Sequence, residues 1–272
     1  MGCDHNCESC ASKGGCEKKD FKAPANAHSN VRRVVAVMSG KGGVGKSLVT
    51  ELLAVAAAKR GLKVAVLDAD ITGPSIPTAF GVTERASADA EKNILPSKSP
   101  CGISLMSINL LLENPEDPVV WRGPVNAGVV KQFWSDVAWG DIDIMFVDMP
   151  PGTGDVPLTV FQALPVDAAV VVTTPQDLVS LIVEKAIRMA GMMEIPVKGL
   201  VENMAMFKCP DCGKSHRIFG GGAAEKLAGD HGIAATASLP IDPAIAGLVD
   251  RGDIESADTA ALDPVLDALI SK

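Results

Sequence analysis

The chain has 272 residues, of which 47% are hydrophobic and 21% are charged, and its formal net charge is -8. This composition fits a globular protein with a full core, and the acidic balance argues against a broad nucleic-acid-binding surface, which would be basic. No apolar run approaches the length of a membrane span, and the first residues are polar and cysteine-rich. We therefore expect a cytoplasmic protein without a membrane or nucleic-acid partner. Seven cysteines in a reducing compartment favour metal ligation over disulfides.

The chain divides into a short appendage and one long domain. Residues 1–30 are polar, hold four of the seven cysteines and end in a linker-like composition, whereas residues 31–272 alternate Val/Ile-rich runs with helical stretches. Such runs, without polar alternation, are typical of strands buried on both faces. The predicted fold class is therefore α/β, with a mostly parallel sheet and helices on both faces. The predicted strands are Arg33–Met38, Lys63–Asp68, Ile103–Leu110, Ile142–Asp148, Ala168–Thr174 and Val197–Glu202, and the predicted helices include Ser47–Arg60, Leu178–Met193 and the tail 258–272.

The first predicted strand runs into a glycine-rich loop, Gly40–Ser47, that fits G-x-x-x-x-G-K-[ST] between a strand and a helix. Its backbone N–H groups and the helix N-terminus would surround phosphate oxygens. Lys46 would reach the β and γ phosphates, and Ser47 would ligate Mg2+. The sequence therefore predicts an ATP site formed by Gly40, Gly42, Gly43, Val44, Gly45, Lys46 and Ser47.

Aspartates follow the second and fourth predicted strands, at the edge where ligands bind in an open parallel sheet. Asp148 has the position of a Walker B carboxylate and would hold Mg2+ through water. Asp70 would position or polarise the attacking water, and Asp68 would support the Mg2+ shell. The N–H of Gly152 would reach the γ phosphate. One such aspartate alone would more simply cap a helix or form a turn, but the two loops together favour a catalytic role.

A third feature is the C-x2-C pair of Cys209 and Cys212. A tetrahedral thiolate site, whether zinc or an iron-sulfur cluster, requires four ligands, and this pair supplies only two. A zinc knuckle with His216 as the third ligand is one alternative. No second C-x2-C pair follows downstream, which disfavours a zinc ribbon within one chain.

The appendage carries a second set of thiols in a polar segment too short to bury them. Their spacing, C-x3-C-x2-C-x5-C, predicts a ferredoxin-like [4Fe-4S] cluster. The first three also have the radical-SAM spacing, but a fourth cysteine and a phosphate-loop domain disfavour radical chemistry. These four residues are Cys3, Cys7, Cys10 and Cys16. The remaining cysteine, Cys101, is expected to be a small buried residue.

The lysine inside the phosphate loop, Lys41, has no duty in an ordinary loop of this type. It resembles the early lysine of the deviant Walker A ATPases, the group that includes MinD, ParA and the nitrogenase iron protein. The resemblance implies an ATP-sandwiched homodimer in which Lys41 reaches the nucleotide of the partner subunit.

The full set of motifs resembles the Mrp/ApbC/Nbp family of iron-sulfur cluster carrier ATPases, over about residues 31–272. The resemblance implies that Cys209 and Cys212 of each subunit bind one bridging [4Fe-4S] cluster, and that Asn203 hydrogen-bonds adenine. The Nbp branch carries an N-terminal extension whose C-x2-C-x5-C end matches this chain, whereas Cys3 departs from the family spacing. The motifs that carry the resemblance are 40–47, 68–77, 121–124, 148–155, Asn203 and 209–212.

These features predict a cytoplasmic, homodimeric and slow ATPase that receives a [4Fe-4S] cluster and transfers it to apo-proteins. A partitioning ATPase of the ParA or MinD kind is one alternative, but it would need a basic surface or a basic terminal helix, and the tail 258–272 is acidic. An ATP-driven electron carrier like the nitrogenase iron protein is the other. Its bridging thiols are not a C-x2-C pair, so the local match is poor.

Overall fold

The computed structural model of the chain describes residues 22–71, 73–114, 121, 123–209, 211–220 and 223–271. Most of the elements in this part of the chain are short strands. They are β1 (Ser29–Val31), β2 (Val34–Ser39), β3 (Val64–Asp68), β4 (Ser87–Ala88), β5 (Ile94–Leu95), β6 (Ser97–Lys98), β7 (Ser104–Met106), β8 (Gly140–Ile142), β9 (Ile144–Asp148), β10 (Ala168–Thr173), β11 (Val197–Glu202), β12 (Phe207–Lys208), β13 (Ser215–His216) and β14 (Ala235–Ser238).

Helices connect most of the strands of the main sheet. They are α1 (Lys46–Lys59), α2 (Ile76–Ala79), α3 (Gly123–Ser135), α4 (Asp155–Ala163), α5 (Asp177–Met192), α6 (Ala223–His231), α7 (Pro243–Arg251) and α8 (Asp263–Ile270). None of the helices in the described residues is both long and apolar enough to cross a membrane.

The main sheet has eight strands in the order β14-β11-β10-β2-β9-β3-β7-β6. All neighbouring strands pair in parallel except β6, which pairs antiparallel with β7 at one edge. Strand β2 lies in the centre, between β10 and β9. Crossover helices on both faces of a parallel sheet confirm the predicted α/β class.

Two apolar layers enclose this sheet. Along β2, Val35 and Val37 pack into the layer that contains α1 and α8, whereas Ala36 and Met38 pack into the layer that contains α3, α5 and α6. Because successive side chains of a strand point to opposite faces, both sets are buried, and every residue of β2 is buried. This explains why the central strands read as continuous Val/Ile runs.

The element boundaries differ from the prediction mainly at the edges. The predicted strand Ile103–Leu110 is β7, Ser104–Met106, followed by a 3-10 turn at Ile108–Leu110. The tail helix begins at Asp263 and buries Val265, Leu266 and Leu269 in the α1 layer. An apolar run therefore indicates burial here, but it does not distinguish a strand from a buried turn.

Part of the segment predicted as a linker packs against the domain. Ser29–Val31 forms β1, which pairs in parallel with β8. Ala23 is buried, its N–H donates to the Ala163 carbonyl (2.8 Å), and its own carbonyl accepts from the indole of Trp134 (3.0 Å). Residues 23 and 29–31 therefore pack against the domain that was predicted to begin at residue 31. Residues 1–21 lie outside the described residues.

Candidate nucleotide site and cysteine hairpin

Strands β2, β3 and β9 bring the predicted nucleotide residues together at their carboxyl ends. Lys46, the first residue of α1, is buried, and its ammonium lies 2.8 Å from Asp148 Oδ2 and 3.7 Å from Asp70 Oδ2. Three residues from three separate segments therefore meet at one point. The motif predicted each of them individually, and the sheet register, which pairs Asp68 with Asp148, explains their convergence.

Asp148 is the centre of this arrangement and is only 1% exposed. Its Oδ2 accepts from the Ser47 hydroxyl (2.7 Å), and its Oδ1 accepts from the Thr50 hydroxyl (2.8 Å). A serine hydroxyl beside an aspartate is the oxygen-rich donor set that Mg2+ uses with a nucleotide. The residues present therefore fit the predicted metal. Sequence reasoning missed Thr50, although its position three residues after Ser47 places both on one face of α1.

The site carries more negative charge than Lys46 can neutralise. Burial, and next the nearby Asp148, raise the pKa of Asp68 to about 8, although Lys46 and a hydrogen bond from Ser107 (2.9 Å) act in the opposite direction. The pKa of Glu51, a buried residue of α1, is also raised well above its ordinary value, chiefly by burial and then by Asp148 and Asp68. Such an excess of buried carboxylates fits a site that receives a divalent cation. Glu51 was not predicted, and its signal is an acidic residue inside an otherwise apolar helix.

Asn203, which directly follows β11, holds the phosphate loop in place. Its amide Nδ2 donates to the Val44 carbonyl (3.0 Å), and its Oδ1 accepts from the Met204 N–H (2.9 Å). A Cβ on Gly45 would lie 2.1 Å from this Nδ2, so the contact requires glycine there. The structure thus places Asn203 against the loop, and the predicted contact with adenine stays a prediction.

Lys41 lies at the outer side of the loop. Its ammonium donates to the side chain of Gln176 (3.0 Å), which precedes α5. Gly40 packs closely on the same helix, because a Cβ there would lie 2.4 Å from a side-chain carbon of Ile182. The Lys41 ammonium thus contacts the residue before α5, whereas Lys46 contacts Asp148. A reach across a dimer stays a prediction.

The N–H of Gly152, predicted to contact the γ phosphate, donates instead to the Ser39 carbonyl (2.9 Å). Strand β9 ends at Asp148, so this bond joins the loop after β9 to the end of β2. A phosphate could accept from this N–H only after the bond to Ser39 opens. The predicted contact of Gly152 with the γ phosphate therefore stays a prediction.

The two cysteines of the C-x2-C pair lie on a small antiparallel hairpin, β12–β13, that follows β11. We call residues 207–216 the cysteine hairpin. The Cys209 N–H donates to the Lys214 carbonyl (2.9 Å), and the Gly213 N–H donates back to the Cys209 carbonyl (2.9 Å). Cys212 is exposed and Cys209 is partly exposed. The turn therefore presents both thiols on the surface.

The turn also prepares one thiol for ligation. Backbone N–H groups of Cys212 and Asp211 hydrogen-bond the Cys209 sulfur and hold its pKa below the ordinary value. A thiolate is the form that binds metal. Among the described residues no group of three or more His, Cys, Asp or Glu side chains is placed to hold a metal, so His216 does not complete a site with the cysteine pair here. The hairpin brings two thiols together, and their role as cluster ligands stays a prediction.

Two other expectations have different outcomes. Cys101 was expected to be buried, and this is wrong: it is exposed, and its backbone N–H donates to the carboxylate of Glu255. The small loop between β6 and β7 places it at an edge of the sheet rather than in the core. The N-terminal thiols, Cys3, Cys7, Cys10 and Cys16, lie outside the described residues, so their cluster stays a prediction.

The fold and the phosphate loop define the class of the protein, a P-loop NTPase. A family model described as ParA, NUBPL iron-transfer P-loop NTPase, matches residues 30–271. Two relatives are named "Iron-sulfur cluster carrier protein": one from Clostridium perfringens is 43% identical over 92% of this chain and 90% of its own length, and one from Methanocaldococcus jannaschii is 43% identical over 92% and 89%. The chain belongs to the NUBPL iron-transfer P-loop NTPase family.

Solved structures agree with this assignment. A nucleotide-binding protein from Archaeoglobus fulgidus, described as a complex with ADP and with Co, is 45% identical, with a TM-score of 0.76 over 84% of this chain and 89% of that chain. The cell division ATPase MinD of Pyrococcus furiosus is 20% identical, with a TM-score of 0.62 over 87% and 97% of the two chains. The second similarity concerns the fold alone.

Proposed function

We propose that this chain is an ATP-dependent iron-sulfur cluster carrier, which receives a [4Fe-4S] cluster on Cys209 and Cys212 and passes it to apo-proteins. The names of its relatives support the cargo. The observation that carries the proposal is the connection between the two sites. Asn203 holds the phosphate loop through the Val44 carbonyl, and the cysteine hairpin begins only four residues later in the chain, at Phe207. A change at the nucleotide thus has a short covalent path to the thiols.

At the nucleotide end, Lys46 would neutralise phosphate charge, and Ser47 and Asp148 would hold Mg2+ in place of their present mutual hydrogen bond. Bound Mg2+ supplies charge neutralisation for the transferred phosphoryl group. Asp70, within 3.7 Å of the Lys46 ammonium, would position the attacking water, with Asp68 behind it. Because these groups serve a switch, hydrolysis is expected to be slow.

The cargo site is incomplete in one chain. A [4Fe-4S] cluster takes four thiolates, and the cysteine hairpin offers two. A two-fold axis turns such a half-site into a whole one, so the proposal includes a homodimer with the cluster between two hairpins. Lys41, which lies on the outer side of the loop, would then contact the partner's nucleotide.

The appendage would hold a second [4Fe-4S] cluster through Cys7, Cys10 and Cys16, with Cys3 as the fourth ligand. Its thiols lie on the N-terminal side of Ala23, which is anchored between α3 and α4 by its bonds to Trp134 and Ala163. This cluster would be separate from the transferable one.

Cluster transfer tests the proposal directly. The anaerobic protein, reconstituted with iron and sulfide, is mixed with an apo-ferredoxin, and the gain of the ferredoxin spectrum is followed with and without Mg-ATP. We expect transfer by the unmodified chain and none by the Cys209→Ser/Cys212→Ser variant, while the Cys101→Ser variant, whose thiol is exposed elsewhere, transfers normally. Equal transfer by all three proteins would refute the proposal.

A further inference from the structure

The end of β11 connects the two sites through two consecutive side chains. Leu200 belongs to the α5–α6 layer and Val201 to the α1 layer, so the alternation along the strand directs Glu202 to the α5–α6 side and Asn203 to the α1 side. Asn203 reaches the phosphate loop, as described above. Glu202 faces α6, which follows the cysteine hairpin in the chain. It takes no part in the nucleotide site.

Glu202 is buried, with 4% of its surface exposed. Burial raises the pKa of this carboxyl, and the nearby backbone N–H of Ala224, in the first turn of α6, acts in the opposite direction. Glu202 is held on its backbone as well, because its carbonyl accepts from the Leu239 N–H (2.9 Å). The carboxylate therefore lies close to the start of α6, which packs against β11, and the cysteine hairpin lies in the chain between them.

Glu202 Oε1 is buried and has no hydrogen-bond partner among the described residues. A buried acceptor of this kind costs the full desolvation of the atom, so a partner that arrives in another conformation would be strongly favoured.

An arginine side chain lies near the Glu202 carboxylate. Arg217 directly follows β13 of the cysteine hairpin, is exposed, and lies close enough to favour the ionised form of Glu202. The two described side chains do not form an ion pair in this conformation, whereas other surface pairs of the domain do. The acidic groups that face Glu202 include Glu225, which is exposed in the first turn of α6.

We propose that Glu202 is a positioning residue that couples the nucleotide loop to the cysteine hairpin, by receiving Arg217 on its free oxygen when nucleotide binding moves the end of β11. The inference rests on the proposed carrier function and assigns the residue that transmits the change. Movement at Asn203 shifts Glu202, its neighbour in the chain. Arg217 then closes onto the carboxylate and draws the cysteine hairpin toward the body, which makes the thiols less accessible.

Alkylation of the thiols tests this coupling without any cluster. The full, reduced and metal-free chain is treated with iodoacetamide, with and without Mg and a non-hydrolysable ATP analogue, and modification of each cysteine is followed by peptide mass spectrometry. In the unmodified chain we expect nucleotide to slow alkylation of Cys209 and Cys212 at least about fivefold, the lower end of typical coupling between sites. Cys101, at the other edge of the sheet, serves as the internal reference.

Variants of the two side chains identify the coupling residue. Glu202→Gln keeps the shape of the buried side chain, and Arg217→Gln changes an exposed side chain. Each should abolish the effect of nucleotide on alkylation while ATP affinity is retained, and the double variant should lose no more than either single one. The matched control, Glu225→Gln, removes a neighbouring exposed carboxylate and should behave like the unmodified chain.

Three results would overturn the inference. These are an unmodified chain whose thiols react equally with and without nucleotide, a Glu202→Gln chain that keeps the full effect, and a Glu225→Gln chain that loses it equally. Since the assay contains no iron, a failure of the carrier proposal would appear separately, as absence of cluster transfer.

Discussion

The nucleotide site and the cysteine hairpin differ in how completely one chain builds them. At the nucleotide site, Lys46, Ser47 and Thr50 all contact one buried aspartate, Asp148. Both oxygens of this carboxylate therefore already have partners. At the cysteine hairpin, two thiols lie on an exposed turn of a two-stranded ribbon. One chain thus holds the residues that would bind phosphate and Mg2+, whereas the proposed cluster would need two further thiolates from a partner subunit. In the proposed carrier, a largely preformed nucleotide site would control a cysteine site that stays open for exchange.

Removal of the buried Lys46 should have the largest effect of the changes considered at the nucleotide site. In Lys46→Ala the carboxylate of Asp148 loses its only described cation, so we expect a loss of about 3 kcal/mol or more in the free energy of unfolding of the metal-free chain. ATP hydrolysis should fall at least about 100-fold, because the phosphates lose a preorganised charge. Urea denaturation and a phosphate-release assay measure the two effects.

Lys41→Ala is the matched control in the same loop. Its ammonium contacts the exposed Gln176, so its loss should change the free energy of unfolding by less than about 1 kcal/mol, while hydrolysis still falls if Lys41 acts across a dimer. Equal destabilisation by both substitutions would contradict the distinction between a buried and an outward-facing lysine.

Two glycines, one at each site, differ in the space around them. Gly45 and Gly213 both have left-handed backbones, with φ of 84° and 69°. Alanine at Gly45 would meet the amide of Asn203 at 2.1 Å, whereas alanine at Gly213 would meet no atom within 4 Å. We expect Gly213→Ala to cost about 1 kcal/mol of backbone strain, and Gly45→Ala to cost more than about 2 kcal/mol, since the Asn203 bond is also displaced. Chemical denaturation of both variants tests this order, and a larger effect at Gly213 would contradict it.

The last prediction concerns how the stability of the chain depends on pH at Asp68. Its pKa is about 8 in the folded chain, above the ordinary value of 3.8, so the folded state binds the proton more tightly than the unfolded state. Asp68 therefore costs no stability below pH 3.8 and costs progressively more as pH rises from there to about 8. In EDTA the melting temperature should fall over this range, and it should fall by several degrees less in Asp68→Asn. If the melting temperatures of the two proteins changed with pH in parallel, the raised pKa of Asp68 would be wrong.

The sequence predicted the parts of the molecule in which local pattern and tertiary burial agree. The strand β2, the glycine loop and the aspartates at strand ends were predicted because each has a distinctive local motif. The hairpin was predicted only as a pair of ligands, and its backbone hydrogen bonds to the Cys209 sulfur were not, since they depend on the turn geometry.

Contacts between distant segments were not predictable from one sequence. Asn203 holds Val44 across 159 positions of the chain, and β1 pairs with β8 more than a hundred positions away, so neither has a local signal. Cys101 was expected to be buried on general grounds, because free cysteines usually are, and its loop overrides that tendency. The Glu202 contact with α6 belongs to the same class of long-range pairing.

The central claim is that one chain supplies half of a transferable cluster site. The most direct measurement is iron, acid-labile sulfide and zinc per chain in anaerobically purified protein, beside the Cys209→Ser/Cys212→Ser variant. One cluster per chain and one shared between two chains predict about six irons per chain, falling to about four in the variant, with loss of the dimer. Zinc in the cysteine hairpin, or an iron content that the variant leaves unchanged, would contradict the account.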